Sequence, residues 1–236
     1  MKRGVRAAKL GRCDRNCLVR GGLRASMMAL ESVEVRWFGE GPPPAALREW
    51  FHGGDVAPQP QGCRSDLYLV LRDSNALGVK LREGRVDLKQ RSGLQQRTAF
   101  GDDLSGLVES WRKWSFASPD AQLPGCAEGE ADVWVPVLKE RWLIRYEASA
   151  NAAVSPCGPD AYPRVGVHLE LTRLGLGRSD GPWWTVGAEA FGPSDELGAL
   201  LRVAVKRHTE RCVPGELRRA ISCGYPGWLR QAALSV

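Results

Sequence analysis

No run of apolar residues in this chain approaches the roughly 18 that a membrane-spanning helix needs, so no span is expected. The N-terminus lacks the continuous apolar segment of an export signal. The seven cysteines (13, 17, 63, 126, 157, 212 and 223) are odd in number and scattered. Without an export signal, that pattern points to a reduced, cytoplasmic compartment. Cys13 and Cys17 form a CxxxC pair, but no second Cys or His pair lies nearby to complete a zinc site. There is no Gly-x-x-x-x-Gly-Lys phosphate loop and no Rossmann fingerprint. Spacing supports neither a Cys–His nor a Ser–His–Asp arrangement. Internal repeats and low-complexity segments are also lacking.

What is present is ordinary in bulk and unusual in pattern. The hydrophobic fraction is 43% and the charged fraction 25%, and 236 residues suffice for one sizeable core. The formal net charge of +6 is unevenly spread: residues 1–27 hold eight Lys/Arg against Asp14 alone, leaving 25 basic and 26 acidic residues elsewhere. The expected organisation is therefore a basic leader over 1–27, either a tail or sequence upstream of a start at Met27 or Met28, followed by one domain over 28–236. With a neutral body, nucleic acid is not the expected partner.

From Ser32 onward the chain alternates apolar and charged residues, the period-two signature of strands. Val33–Phe38 is the first such segment, broken by Gly41 and three prolines that can open a short helix over Ala45–Phe51. Residues 53–62 read as loop, Asp66–Leu71 as the second strand, and Gly78–Arg82 and Arg85–Arg91 as a hairpin about Glu83-Gly84. Asp102 or Asp103 is placed to cap a helix reaching about Trp114, on which Trp111 and Trp114 would form a packing stripe. Val133–Glu147 reads as a long strand in which Pro136 suggests an edge or a bulge. Val165–Leu174 and Trp183–Phe191 form a further hairpin. Ser194 can cap a helix with Leu197, Leu200, Leu201 and Ala204 as its apolar stripe and Lys206, Arg207 and His208 in its last turn. A short helix near Gly215–Ile221 precedes Tyr225–Leu229, which reads as a segment that docks on the body.

Alternation also sorts side chains by face. One face of successive strands carries Glu34 and Arg36; Lys80 and Arg82; Asp87, Lys89 and Arg91; Lys139, Arg141 and Arg145; His168 and Glu170; and Glu189. The opposite faces are apolar. A sheet with its charged face in water would give this pattern. So would a barrel turned inside out, because the helices carry apolar stripes able to cover its outside. The fold expected is thus α+β: an antiparallel, tunnel-like β-barrel with helices packed outside and at the C-terminus. Many cations converging in a confined space repel one another unless an anion joins them, and forked arginines suit phosphate oxygens.

The order of these residues resembles the CYTH superfamily of triphosphate tunnel enzymes. The resemblance is carried by Ser32-x-Glu34-x-Arg36, Lys80-x-Arg82, Asp87-x-Lys89-x-Arg91, Lys139-x-Arg141, His168-x-Glu170 and Glu189, and spans roughly residues 30–230. It implies an eight-stranded antiparallel tunnel that binds a polyphosphate or an organic triphosphate, with a metal-dependent triphosphatase as the associated activity. Arg36, Lys80, Arg82, Lys89, Arg91, Lys139, Arg141 and Arg145 would bind the phosphates, and Glu34, Glu170 and Glu189 would hold Mg2+ or Mn2+. Two departures matter: Ser32 stands where the family has its first glutamate, and His168 where a second late carboxylate is expected. The resemblance therefore supports anion binding more than hydrolysis. A non-catalytic protein-interaction domain with a charged sheet face is the alternative.

Overall fold

A computed structural model describes residues 29–117, 133–158, 160–177 and 181–234. The basic leader and its cysteine pair lie outside the described residues. The elements run β1 (Leu30–Glu40), α1 (Ala45–His52), β2 (Gln59–Leu69), β3 (Leu77–Arg82), β4 (Arg85–Arg91), β5 (Gln96–Ala99), β6 (Ser105–Ala117), β7 (Trp134–Ala148), β8 (Val154–Pro156), β9 (Gly166–Leu176), β10 (Pro182–Phe191), α2 (Leu197–Thr209), α3 (Gly215–Arg219), β11 (Ile221–Ser222) and α4 (Tyr225–Leu234).

Eight strands close on themselves in the order β1-β10-β9-β7-β2-β3-β4-β6, with β6 pairing back to β1 antiparallel from Leu30 opposite Lys113 to Val35 opposite Val108. The result is a closed antiparallel barrel, and β5, β8 and β11 are short additions to its wall. The sharp hairpin between β3 and β4 has positive φ at both Glu83 (48°) and Gly84 (68°), the double left-handed geometry that a two-residue turn needs.

Several expectations are corrected. Residues 105–117 form β6, not a helix, so Trp111 faces inward and is 2% exposed while Trp114 faces out. Residues 59–62 belong to β2, whose register shifts between Pro60 and Cys63. Pro136 lies in β7 between β2 and β9 rather than at an edge. It sits where the β7–β9 ladder ends: Gly177 donates its N–H to the Pro136 carbonyl (3.0 Å), and the reciprocal donor is the one proline lacks. Helix α2 begins at Leu197, after a turn in which the Ser194 hydroxyl accepts the Glu196 N–H. Tyr225–Leu234 is a full helix, α4.

The barrel is inverted relative to a common one. Its outward residues on β1, β9 and β10, such as Val35, Trp37, Leu169, Leu171, Val186 and Ala188, form one apolar core with Leu47, Trp50 and Phe51 of α1 and Leu197, Leu200, Leu201 and Ala204 of α2. A second core fills one end of the lumen. There Phe38, Tyr68, Val137, Leu174 and Leu176 meet Trp228 and Leu229 of α4, with the Trp228 ring stacked on Phe38 at 4.9 Å between centroids. Helix α4 is thus a plug. The outward residues Val79, Leu81, Val86 and Leu88 of the β3–β4 hairpin are only half-buried and belong to neither core. Among the described residues, no helix is long and apolar enough to cross a membrane.

Candidate functional site

Period-two geometry on a closed wall delivers the charged faces to one place. β1 contributes Glu34 and Arg36, β10 Glu189, β9 Glu170, and β7 Lys139 and Arg141; β2 adds Arg64 and Tyr68, β3 Lys80 and Arg82, β4 Asp87 and Lys89, and β6 Trp111 and Lys113. Together with Tyr225, Pro226 and Leu229 at the plug, they line a cavity of about 210 Å³. Eight cationic side chains and four carboxylates face it. Glu34, Glu189 and Glu170 lie on three adjacent strands, and most of the cations lie on the opposite wall. At Gly187, between the carboxylate strands, an added Cβ would meet the Arg36 guanidinium at 2.6–2.8 Å, so the missing side chain is what makes room for that group.

Every carboxylate is already engaged by cations. Glu170 is held by Arg36 (2.9 Å) on one oxygen and by Arg141 (2.7 Å) on the other. Lys89 bridges Glu34 and Glu189, and the Ser32 hydroxyl donates to Glu34 at 2.8 Å. Beneath the wall, the fully buried Asp66 meets Lys139 (3.1 Å), Arg64 (3.3 Å) and Lys80 (3.7 Å). Asp87 meets Lys113 (3.4 Å) and Lys80 (3.5 Å) and accepts from the Ser115 hydroxyl. Lys139 also donates to the Tyr68 hydroxyl (2.6 Å), and its ammonium lies 4.0 Å from the Tyr225 ring centre.

These surroundings shift the titrating groups. Burial, then the nearby Lys80, push Lys139 well below the usual lysine range. Burial lowers Lys80 to about 8 even with Asp66 and Asp87 beside it. Burial and the neighbouring Glu189 carboxylate raise Glu34 to about 7. Glu189, buried as well, is nevertheless held low by Lys89 and by its hydrogen bond with Glu34; the two titrate as one pair that holds a proton to near-neutral pH. Burial opposes the ionised form of Glu170, yet Arg141 and Arg36 hold its carboxyl well below the usual range.

Of the residues expected to bind phosphate, Arg36, Lys80, Arg82, Lys89, Lys139 and Arg141 line the cavity. Arg91 and Arg145 do not. Arg91 pairs with Glu109 (2.9 Å) and Asn75 (2.9 Å), and Arg145 bonds Gln61 (2.8 Å) while lying 5.7 Å from the Tyr162 ring centre. The expected metal ligands Glu34, Glu170 and Glu189 all face the cavity but do not form one ligand cluster. Both Glu170 oxygens are committed to guanidinium groups, and an ammonium sits where an ion would bridge the other two. Among the described residues, no group of three or more His, Cys, Asp and Glu is arranged to hold a metal ion. The donor set does not fit a resident Mg2+ or Mn2+. His168 faces Glu189 across the β9–β10 ladder and packs on Phe191 at 4.5 Å; its Nε2 is buried without a hydrogen-bond partner.

Lys113, Arg64 and Tyr225 were not expected in the site. Lys113 is recoverable from the alternation Glu109-Trp111-Lys113-Ser115 once 105–117 is read as strand, and Arg64 once β2 is extended back to Gln59. No local signal places Tyr225 under the lumen. No protein-family model matches the chain, and no curated protein is significantly similar to it.

Proposed function

We propose that the barrel is a CYTH-like tunnel whose lumen binds the phosphate groups of a polyphosphate or an organic triphosphate. The carrying observation is the convergence of eight basic side chains on one cavity of about 210 Å³ that, among the described residues, four carboxylates line, with the buried Asp66 pairing three of the eight. Like charges gathered at low dielectric are costly, and an anion relieves that cost while accepting forked hydrogen bonds from Arg36, Arg82 and Arg141. The volume favours a compact anion, because sites that enclose drug-sized ligands run to roughly 300–1,000 Å³. Any organic portion would therefore lie outside the lumen. The closed eight-strand antiparallel barrel is compatible with that superfamily's fold.

The reading is one of binding. The carboxylates balance the wall's cations, and an entering anion competes with them: phosphate oxygens take the guanidinium forks of Arg36 and Arg141 that Glu170 otherwise holds. The alternative of a charged face offered to another protein is disfavoured because Lys80, Lys89, Arg141 and Glu170 turn into one cavity.

The test is calorimetric titration of tripolyphosphate into the parent protein and the Lys80→Ala/Arg82→Ala variant. Each hydrogen bond to a charged group contributes about 1.5–3 kcal/mol, so affinity should fall at least about tenfold. Unchanged binding in the double variant would overturn the proposal. Phosphate release followed in the same samples, with and without Mg2+ or Mn2+, reads turnover directly.

A further inference from the structure

The cavity has two unlike ends. At one, Trp228 is fully buried and stacked on Phe38, the Pro226 ring lies 3.3 Å from where a Cβ of Gly78 would be, and Tyr225 stacks on Tyr68 with 5.6 Å between centroids. Among the described residues, these contacts seat helix α4 across that end of the barrel. The side chains of the lumen grade accordingly. Lys113 and Lys89 are 28% and 27% exposed, Arg141 is 16%, Arg36 is 10%, and Lys139, beside the plug, is 4%. Access is from the side away from α4, and basic side chains continue to the floor.

Resting on the reading of the lumen as a phosphate site, we infer that it takes the end of a linear phosphate chain and not its middle. An interior phosphate of a chain has a bridging oxygen on each side, and both neighbours need a way out. A blind cavity gives only one. A terminal phosphoryl group has a single bridge, so it can enter first and lead the chain behind it. It also presents three unbridged oxygens and the larger charge. Arg36, Arg141 and Lys139 are placed to receive those oxygens at the floor, while Lys89 and Lys113 stand beside the phosphates that follow. The ligand class is therefore any linear polyphosphate with a free terminal phosphoryl group, whether inorganic or carried on an organic alcohol at its far end. Cyclic phosphates, which have no terminus, are excluded by the same geometry.

The experiment uses the whole chain and three probes: linear tripolyphosphate, cyclic tetrametaphosphate of similar total charge, and size-fractionated long-chain polyphosphate. Tripolyphosphate should bind about tenfold or more tightly than the ring, and long chains should saturate at a protein-to-chain ratio set by their ends, independent of length. Equal affinity for the ring, or a ratio that climbs with chain length, would overturn end recognition while leaving phosphate binding standing. If none of the three probes binds, the reading of the lumen itself falls. An adenosine 5′-triphosphate arm separates the two sources of a terminus: comparable affinity shows that the far end is ignored, whereas preference for either probe shows which terminus the mouth admits.

Discussion

Replacing Glu170 by glutamine should weaken the fold and tighten the ligand at once. The carboxylate is 12% exposed and sits between two guanidinium groups at 2.9 and 2.7 Å, themselves 10% and 16% exposed. Removing one partner of a buried ion pair costs roughly 3–5 kcal/mol, because the remaining charge is left uncompensated. Here the adjoining cavity admits water, which favours the lower figure, about 3 kcal/mol. The same change adds one positive charge to the lumen and frees both arginine forks, so tripolyphosphate affinity should rise about tenfold, or ~1.4 kcal/mol. Urea unfolding at low ionic strength, with and without tripolyphosphate, measures both effects. The ligand at a hundred times its dissociation constant should return about 2.7 kcal/mol to either protein, and the variant should reach that point at lower concentration. A Glu170→Gln protein as stable as its parent, with unchanged affinity, would refute the view that Glu170 balances cations held for an anion. Lost stability with weakened binding would show instead that the carboxylate merely fixes the geometry of Arg36 and Arg141.

Two further outcomes follow from the same interior. Glu34 is raised from 4.5 to about 7, so between those values the folded state holds a proton that the unfolded chain has released, and stability must fall as pH rises through that window. The difference in urea midpoint between parent and Glu34→Gln should therefore change across pH 4.5–7 and be flat above it; a constant difference would contradict the assignment. The same proton removes a negative charge from the lumen, so tripolyphosphate should bind the parent more tightly below about 7 and show less of that trend in the variant. At the plug, Trp228→Ala deletes a fully buried ring packed against Phe38, Trp183 and Tyr225, and a loss of about 3–5 kcal/mol is expected in the same denaturation assay. A loss under 1 kcal/mol, well below that of an ordinary core residue, would mean that α4 is not seated as a plug.

The inverted barrel was largely legible from residue order alone. Alternation put Lys80 with Arg82 and Lys139 with Arg141 on common faces, and the apolar stripe of α2 offered something to cover the outside. What alternation cannot give is closure, because the pairing of β1 with β6 joins segments some 80 residues apart. The segment 105–117 went astray for a local reason. Leu104, Leu107, Val108 and Trp111 have helical spacing after a cap-like Asp102-Asp103, while Glu109, Trp111, Lys113 and Ser115 alternate equally well. Only the two neighbouring strands decide between them, and with that decision went Lys113. The three glutamates are a different matter. Sequence order brings three glutamates to one wall, but it does not say whose nitrogens their oxygens already face. Arg91 and Arg145 share the right strand faces, yet Glu109 and Gln61 hold them elsewhere.

The β3–β4 hairpin carries Lys80, Arg82 and Lys89, three of the eight basic side chains that line the cavity, together with Asp87, yet among the described residues it belongs to neither apolar core. Its lumen face is charged and its outward leucines and valines are half-buried, so its backbone hydrogen bonds are less shielded than those of β9 and β10. Amide protons over 77–91 should therefore exchange through local openings well below the free energy of global unfolding. On the proposed reading, an anion that joins Lys80 to Arg36 and Arg141 across the lumen adds to the Lys89 bridge and slows those openings. Exchange over 77–91 that slows when tripolyphosphate is added is the expected outcome: on that reading the lumen's occupant braces the wall that the two cores leave open.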